Sequence, residues 1–224
     1  MVLGCRIYDD FKRPDKELVE KFASFPVANI DDCYDRYFAM RYPLRLMSNT
    51  KRLVGVAYTV KVPQGDNLML NKAMDLAKPG DVLIVDAGGF DTRAIFGEII
   101  VSYCKKRGIK GIVVDGAIRD SDAINEMTDF SVYAKGVAPD GPYHNGPGMI
   151  GTAVCCAGQV VFPGDIIVGD ADGVIAIRPD DALEVIAKAE AIGEKERALL
   201  KGIDEEGVYP RPWVDKRLTE LGCI

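Results

Sequence analysis

The chain has 224 residues, 48% of them hydrophobic, and 34 acidic against 28 basic side chains give a net charge of −6. That is enough apolar material to bury a proper core, and no Lys/Arg cluster could follow a phosphate backbone, so a nucleic-acid partner is not expected. The six cysteines lack any Cys-x-x-Cys spacing, no stretch approaches the roughly 20 apolar residues that cross a bilayer, and no basic-flanked apolar segment opens the chain; a soluble protein of the reducing cytoplasm, without a membrane partner, is expected.

In chain order, Pro14-Asp15-Lys16-Glu17-Leu18-Val19 opens a helix, and a second begins near Ala28 and turns Ile30, Cys33 and Tyr34 inward. These helices, within 14–40, are expected to form an antiparallel lid. Leu53–Val60 reads as a strand and Asn67 to Ala77 as a helix, stopped by Lys78-Pro79-Gly80. The pattern repeats: Val82–Val85 is a buried strand, Ala87-Gly88-Gly89 a turn, Thr92 to Lys106 a helix, and Gly111–Val114 the next strand, which implies parallel β-α units. Val132–Lys135, Val160–Phe162, Ile166–Val168 and Gly173–Ile177 are short β segments that suggest a second sheet. A long helix spans about 180–201, and a Tyr209–Pro212 turn precedes a short closing helix. The economical reading is one α/β domain over 1–224, with a core of about 30–178 and helical extensions at both ends.

Chemistry concentrates after the strand Gly111–Val114, where Asp115-Gly116-Ala117-Ile118 runs into Arg119-Asp120. Ligands of open α/β sheets gather at the carboxyl ends of the strands. The preceding helical segment carries Gly97-Glu98-Ile99-Ile100 toward the same edge, so Glu98, Arg119 and Asp120 can converge. Mg²⁺ and Mn²⁺ are commonly held by one or two carboxylates with water and substrate oxygens completing the shell, a task Asp120 and Glu98 can perform. Backbone N–H groups of Gly97 to Ile100, if they open a helix, can hold a substrate carboxylate. The same residues also suit an ordinary surface ion pair.

Gly80-Asp81-Val82-Leu83-Ile84-Val85-Asp86, Arg93-Ala94-x-x-Gly97-Glu98, Asp115-Gly116-Ala117-x-Arg119-Asp120, and Pro163-Gly164-Asp165 with Asp170-Ala171-Asp172-Gly173-Val174 together resemble the RraA-like family. It includes 4-hydroxy-4-methyl-2-oxoglutarate aldolases, oxaloacetate decarboxylases and ribonuclease E inhibitors. The most specific element is an acidic residue separated by twenty positions from an Arg-Asp pair, satisfied here by Glu98 and Arg119-Asp120. The resemblance runs from about Ile30 to Gly202. It implies a swivelling β/β/α fold, homotrimers or homohexamers, and a divalent cation, Mg²⁺ or Mn²⁺, on Asp120. It further implies a small 2-oxo acid substrate held by Arg119 and the amides of Gly97, Glu98, Ile99 and Ile100. Glu98 would orient a proton-relaying water, assisted by Glu194 or Glu196 from a neighbouring subunit. The aldolases carry Asp where this chain has Glu98, and the inhibitors lack the acid at Asp120, so the resemblance favours the metal-dependent lyase over a non-enzymatic regulator.

Other features read blandly. His144, the single histidine, lies in the glycine-rich segment Asp140–Gly148 and reads as a loop residue, although that loop can line a pocket mouth. Cys155-Cys156 reads as an apolar strand pair, and Asp86-Ala87-Gly88-Gly89 lacks the spacing of a dinucleotide fingerprint.

Overall fold

The computed structural model describes residues 3–41 and 43–224. Its strands are β1 (Arg6–Ile7), β2 (Arg45–Leu46), β3 (Leu53–Lys61), β4 (Asp81–Asp86), β5 (Ala94–Phe96), β6 (Gly111–Val114), β7 (Ala117–Ile118), β8 (Ser131–Ala134), β9 (Gly136–Val137), β10 (Met149–Ile150), β11 (Val154–Cys156), β12 (Gln159–Val161), β13 (Ile166–Gly169) and β14 (Val174–Ile177). The helices are α1 (Lys16–Lys21), α2 (Val27–Cys33), α3 (Leu68–Leu76), α4 (Glu98–Lys106), α5 (Ser121–Asn125), α6 (Ala182–Glu206) and α7 (Pro212–Glu220).

β3, β4, β6 and β8 pair in parallel and form the centre of a nine-stranded sheet. β4 and β6 are buried along their whole length, as expected of strands covered on both faces. A second sheet, β5-β7-β9, is also parallel. Each of its strands follows a strand of the first: β4 leads to β5, β6 to β7 and β8 to β9. Helix α4 then returns the chain from β5 to β6, and α5 from β7 to β8. This strand-strand-helix unit brings the ends of β5, β7 and β9 together.

Three expectations need correction. The helix expected from Thr92 begins at Glu98, because Ala94–Phe96 is buried as β5. Ile95 and Ile99 stand four apart and imitate a helical stripe, but Ile95 is buried and Ile99 is 80% exposed. The second sheet is not built from residues 160–177: β11 and β12 form a separate hairpin, and β13 joins the main sheet by pairing Ile166–Gly169 antiparallel to Leu53–Val56. Lastly, α1 and α2 are no lid, because Val19, Phe22, Val27 and Ile30 pack with residues of β3, β13, β14 and α6 in one apolar cluster.

Asp115 occupies the crossover from β6 to β7 and ties neighbouring segments to it. Its Oδ1 accepts the Ala87 N–H at 2.7 Å and its Oδ2 the Ala157 N–H at 3.4 Å. Burial pushes this carboxyl above its usual range, against the pull of those amides. The folded chain therefore keeps a proton there that the unfolded chain has released, and the associated stability falls as pH rises from the ordinary carboxylate range through the raised value. Asp115→Asn is expected to flatten that part of the stability-pH curve, measured by urea unfolding between pH 4 and neutrality; an unchanged slope would assign the titration to another group.

Candidate active site

The carboxyl ends of β5 and β7 open on a cleft of about 280 Å³ lined by Phe96, Gly97, Ile99, Ile100, Arg119, Asp120, Asn67, Asn71 and the loop residues Gly141, Pro142 and His144. β5 runs into Gly97, the residue before α4, and β7 runs into Arg119-Asp120, just before α5. The Arg119 N–H bonds the Phe96 carbonyl at 3.0 Å and keeps these two exits side by side.

Asp120 adopts the left-handed region, φ 55°, ψ 40°, a conformation uncommon outside glycine and concentrated at functional sites. Its carboxylate does not cap its own helix. Oδ2 instead accepts the Glu98 N–H of α4 at 3.0 Å and lies 3.7 Å from Arg119 Nε. Gly97 makes this approach possible, since a Cβ there would collide with Asp120 Oδ2 and come within 2.8 Å of Arg119 Cγ. Val101 is the first residue of α4 to bond back, to the Gly97 carbonyl at 3.2 Å. The N–H groups of Ile99 and Ile100, in the first turn, thus lack helical acceptors and carry the positive end of the dipole.

The far wall is the segment from Pro139 to Gly148. Buried Asp66 accepts the N–H groups of Leu68, Asn145 and Gly146, while Arg93 stacks 4.3 Å above Tyr143 and donates to the Gly141 carbonyl. Gly141 in turn leaves room for Arg119, whose Nη1 would stand 2.7 Å from a Cβ. Asn67 Nδ2 donates to the Ile95 carbonyl at 2.9 Å, and Asn67 Oδ1 meets Asn71 Nδ2 at 2.9 Å and His144 Nδ1 at 2.7 Å.

Gly97, Ile99, Ile100, Arg119 and Asp120 therefore meet as the sequence suggested. Glu98 contributes its amide, but its side chain is exposed and the residue is not among those lining the cleft. Glu194 and Glu196 lie on α6, away from this chain's cleft; Glu194 is exposed, and Glu196 accepts from Asn29 Nδ2 at 2.7 Å. Sequence reading missed Asn67 and Asn71; it allowed the His144 loop at a pocket mouth, where the structure places it, but read His144 itself as an ordinary loop residue. The spacing of Asn67 and Asn71, one helical turn apart beside a glycine-bearing turn, was the available signal.

Two larger grooves, of about 540 and 740 Å³, open at the amino ends of the parallel strands, around Arg52 and Lys110. There Arg13 is engaged by Asp81 and Arg52 by Asp170, and that end of a parallel sheet is not where ligands collect. The smaller cleft opens at the opposite, carboxyl end.

A hard cation fits its donor set. Asp120 Oδ2 is engaged, Oδ1 has no hydrogen bond among the described residues, and the side chain is 42% exposed. No three His, Cys, Asp or Glu residues cluster among the described residues, so water and substrate oxygens would supply most of the shell, as is usual for Mg²⁺.

The sequence matches the RraA-like family, described as aldolase/RraA, over residues 27–176. The chain belongs to the RraA-like family. It is 35% identical over 202 residues to the "Putative 4-hydroxy-4-methyl-2-oxoglutarate aldolase" of Halalkalibacterium halodurans, covering 90% of this chain and 96% of that one. Among solved structures it is similar to Streptomyces coelicolor RraAS2, described as an unusual member of the RNase ES inhibitor RraA family, with 27% identity, a TM-score of 0.74 and coverage of 84% and 98% of the two chains. An uncharacterised Pseudomonas syringae protein shares the fold, with a TM-score of 0.77 and 21% identity over 89% and 98%. The α/β RraA-like fold class read from the sequence is the one observed, and no helix among the described residues is long and apolar enough to cross a membrane.

In this RraA-like chain the Gly97 contact is directly testable. Gly97→Ala is expected to push Asp120 off α4, destabilise the protein by about 1–3 kcal/mol as overpacking does, and speed exchange of the Glu98 amide with solvent. Amide exchange by NMR reads the effect; an unchanged Glu98 rate in a folded variant would contradict it.

Proposed function

We propose that this protein is a divalent-metal-dependent lyase that breaks a C–C bond beside a pyruvoyl group. Its reactions are retro-aldol cleavage of 4-hydroxy-4-methyl-2-oxoglutarate-type acids and decarboxylation of oxaloacetate. One observation carries this reading: a guanidinium, a carboxylate with a free oxygen, and two unbonded first-turn amides face one small cleft. A 2-oxo carboxylate presents adjacent oxygens that need this combination of donors and charge. The aldolase name of the Halalkalibacterium relative supports the same reaction class.

Asp120, with Glu98 nearby, would hold Mg²⁺ or Mn²⁺, which supplies Lewis acidity at the 2-oxo group. The amides of Ile99 and Ile100 bind the substrate carboxylate, and Arg119 balances charge gathering on the enolate oxygen as the bond breaks. The Glu98 carboxylate faces solvent, where it can order a water. The six cysteines are free, which suits a cytoplasmic protein.

The active form is a homotrimer or homohexamer in this reading. Leu200, Ile203, Trp213 and Leu221 are exposed on α6, on α7 and just after it, and α7 buries no residue; a second copy would cover them. Glu194, free on α6, is then the residue able to approach a neighbour's cleft. A second reading, a protein partner of the ribonuclease-inhibitor type, is favoured by the likeness to the Streptomyces protein, and Asp120 weighs against it.

The deciding assay is pyruvate release from 4-hydroxy-4-methyl-2-oxoglutarate and from oxaloacetate, with and without EDTA. Activity toward both, lost on chelation, is the expected result, and inertness toward both would favour the regulator. Asp120→Ala is expected to abolish turnover and Mn²⁺ binding by calorimetry while leaving the fold intact; undiminished affinity would take Asp120 out of the metal site. Arg119→Lys replaces a planar fork by a point charge and is expected to lower kcat/KM at least about tenfold, roughly 1.4 kcal/mol. Kinetics within about twofold of wild type would refute that role.

A further inference from the structure

We infer that His144 takes the proton from the substrate hydroxyl in the retro-aldol step, through Nε2; this deepens the aldolase reading above and rests on it. Asn67 fixes the tautomer of the ring. Its Nδ2 faces the Ile95 carbonyl at 2.9 Å, an oxygen that can only accept, so the amide cannot be turned over without setting two oxygens against each other. Oδ1 is thereby the atom that faces His144 Nδ1 at 2.7 Å and Asn71 Nδ2 at 2.9 Å. An amide oxygen has no proton to give, so the proton of that contact sits on Nδ1. A neutral imidazole with its proton on Nδ1 carries a bare lone pair on Nε2, and Nε2 has no partner among the described residues.

The other side chains of the cleft leave no competitor. Arg119 is permanently protonated, Asp120 is bonded through Oδ2 to the Glu98 amide and offers its free Oδ1 to the cation, and Asn67 and Asn71 are amides. Among the residues lining the cleft, His144 Nε2 is the basic atom left without an assigned partner.

The step balances without a further reactant. Nε2 takes the proton of the C4 hydroxyl, the O–H electron pair becomes the second C–O bond, and the C3–C4 pair becomes the C2–C3 double bond of the pyruvate enolate. The imidazolium then returns the same proton to C3, which yields pyruvate and neutral His144. Oxaloacetate has no such hydroxyl. It loses carbon dioxide from C4, and solvent protonates the enolate.

His144→Asn separates these reactions, because Asn keeps a donor where Nδ1 met Asn67 and stops short of Nε2. With Mg²⁺ present, the variant is expected to lose about 10²–10⁴-fold in kcat for 4-hydroxy-4-methyl-2-oxoglutarate, the usual worth of general base catalysis, and to decarboxylate oxaloacetate within about threefold of wild type. His144 is the only histidine, so ¹⁵N NMR of the wild-type imidazole reports this ring alone and is expected to show the Nδ1–H tautomer. Equal losses in the two reactions overturn the inference, as does aldol cleavage within twofold of wild type. So does the Nε2–H tautomer, and so does a selective loss that appears in Glu98→Gln while His144→Asn is intact, which would assign the proton to a Glu98-ordered water. All four leave the lyase reading standing. A wild-type enzyme inert toward both acids overturns that reading, and the role of His144 falls with it.

Discussion

The site depends on one hydrogen bond: the Asp120 carboxylate reaching past its own helix to the first amide of α4. Holding a non-glycine residue in the left-handed region costs about 1 kcal/mol or more, and a helix cap contributes about as much. The two terms nearly cancel, so this bond does little for global stability. What it does is join two helix starts that belong to different strand-strand-helix units. With Arg119 beside it and Gly97 beneath it, the carboxylate is fixed before any ligand arrives.

That arrangement explains what could and could not be read from the sequence. The buried runs Val82–Val85 and Gly111–Val114 and the helix of residues 68–76 were legible because burial on both faces and a 3.6-residue period leave strong patterns. β5, β7 and β9 were not. Strands of two or three residues carry no measurable alternation, and they are defined by pairing among segments far apart in sequence. The Thr92 boundary failed for a related reason: Ile95 and Ile99 copy a helical stripe across a strand-to-helix junction.

The candidate site was legible to a similar degree. Arg119-Asp120 stood out because a cation and an acid follow a buried strand, and Gly97 because it sits where a ligand or side chain must come close. The contact of the Glu98 amide with Asp120 and that of His144 with Asn67 were not legible. A sequence names Glu98 by its carboxylate, whereas the fold uses its amide; His144 looked like an unremarkable loop residue because its partner, Asn67, lies 77 positions away.

The segment from Pro139 to Gly148 forms one wall of the cleft and is fastened largely through its main chain. The Ala94 N–H holds the Asp140 carbonyl at 2.9 Å near one end, and Asp66 gathers the amides of Asn145 and Gly146 near the other. Both fastenings on the loop side are main-chain groups, indifferent to which side chains the intervening residues carry. The path of the wall is therefore set by its main chain, and most of its side chains are free to vary; Gly141 beneath Arg119, Tyr143 under Arg93 and His144 against Asn67 are the exceptions. A fold built this way can reshape one side of the cleft within a ten-residue stretch while the starts of α4 and α5 stay where they are.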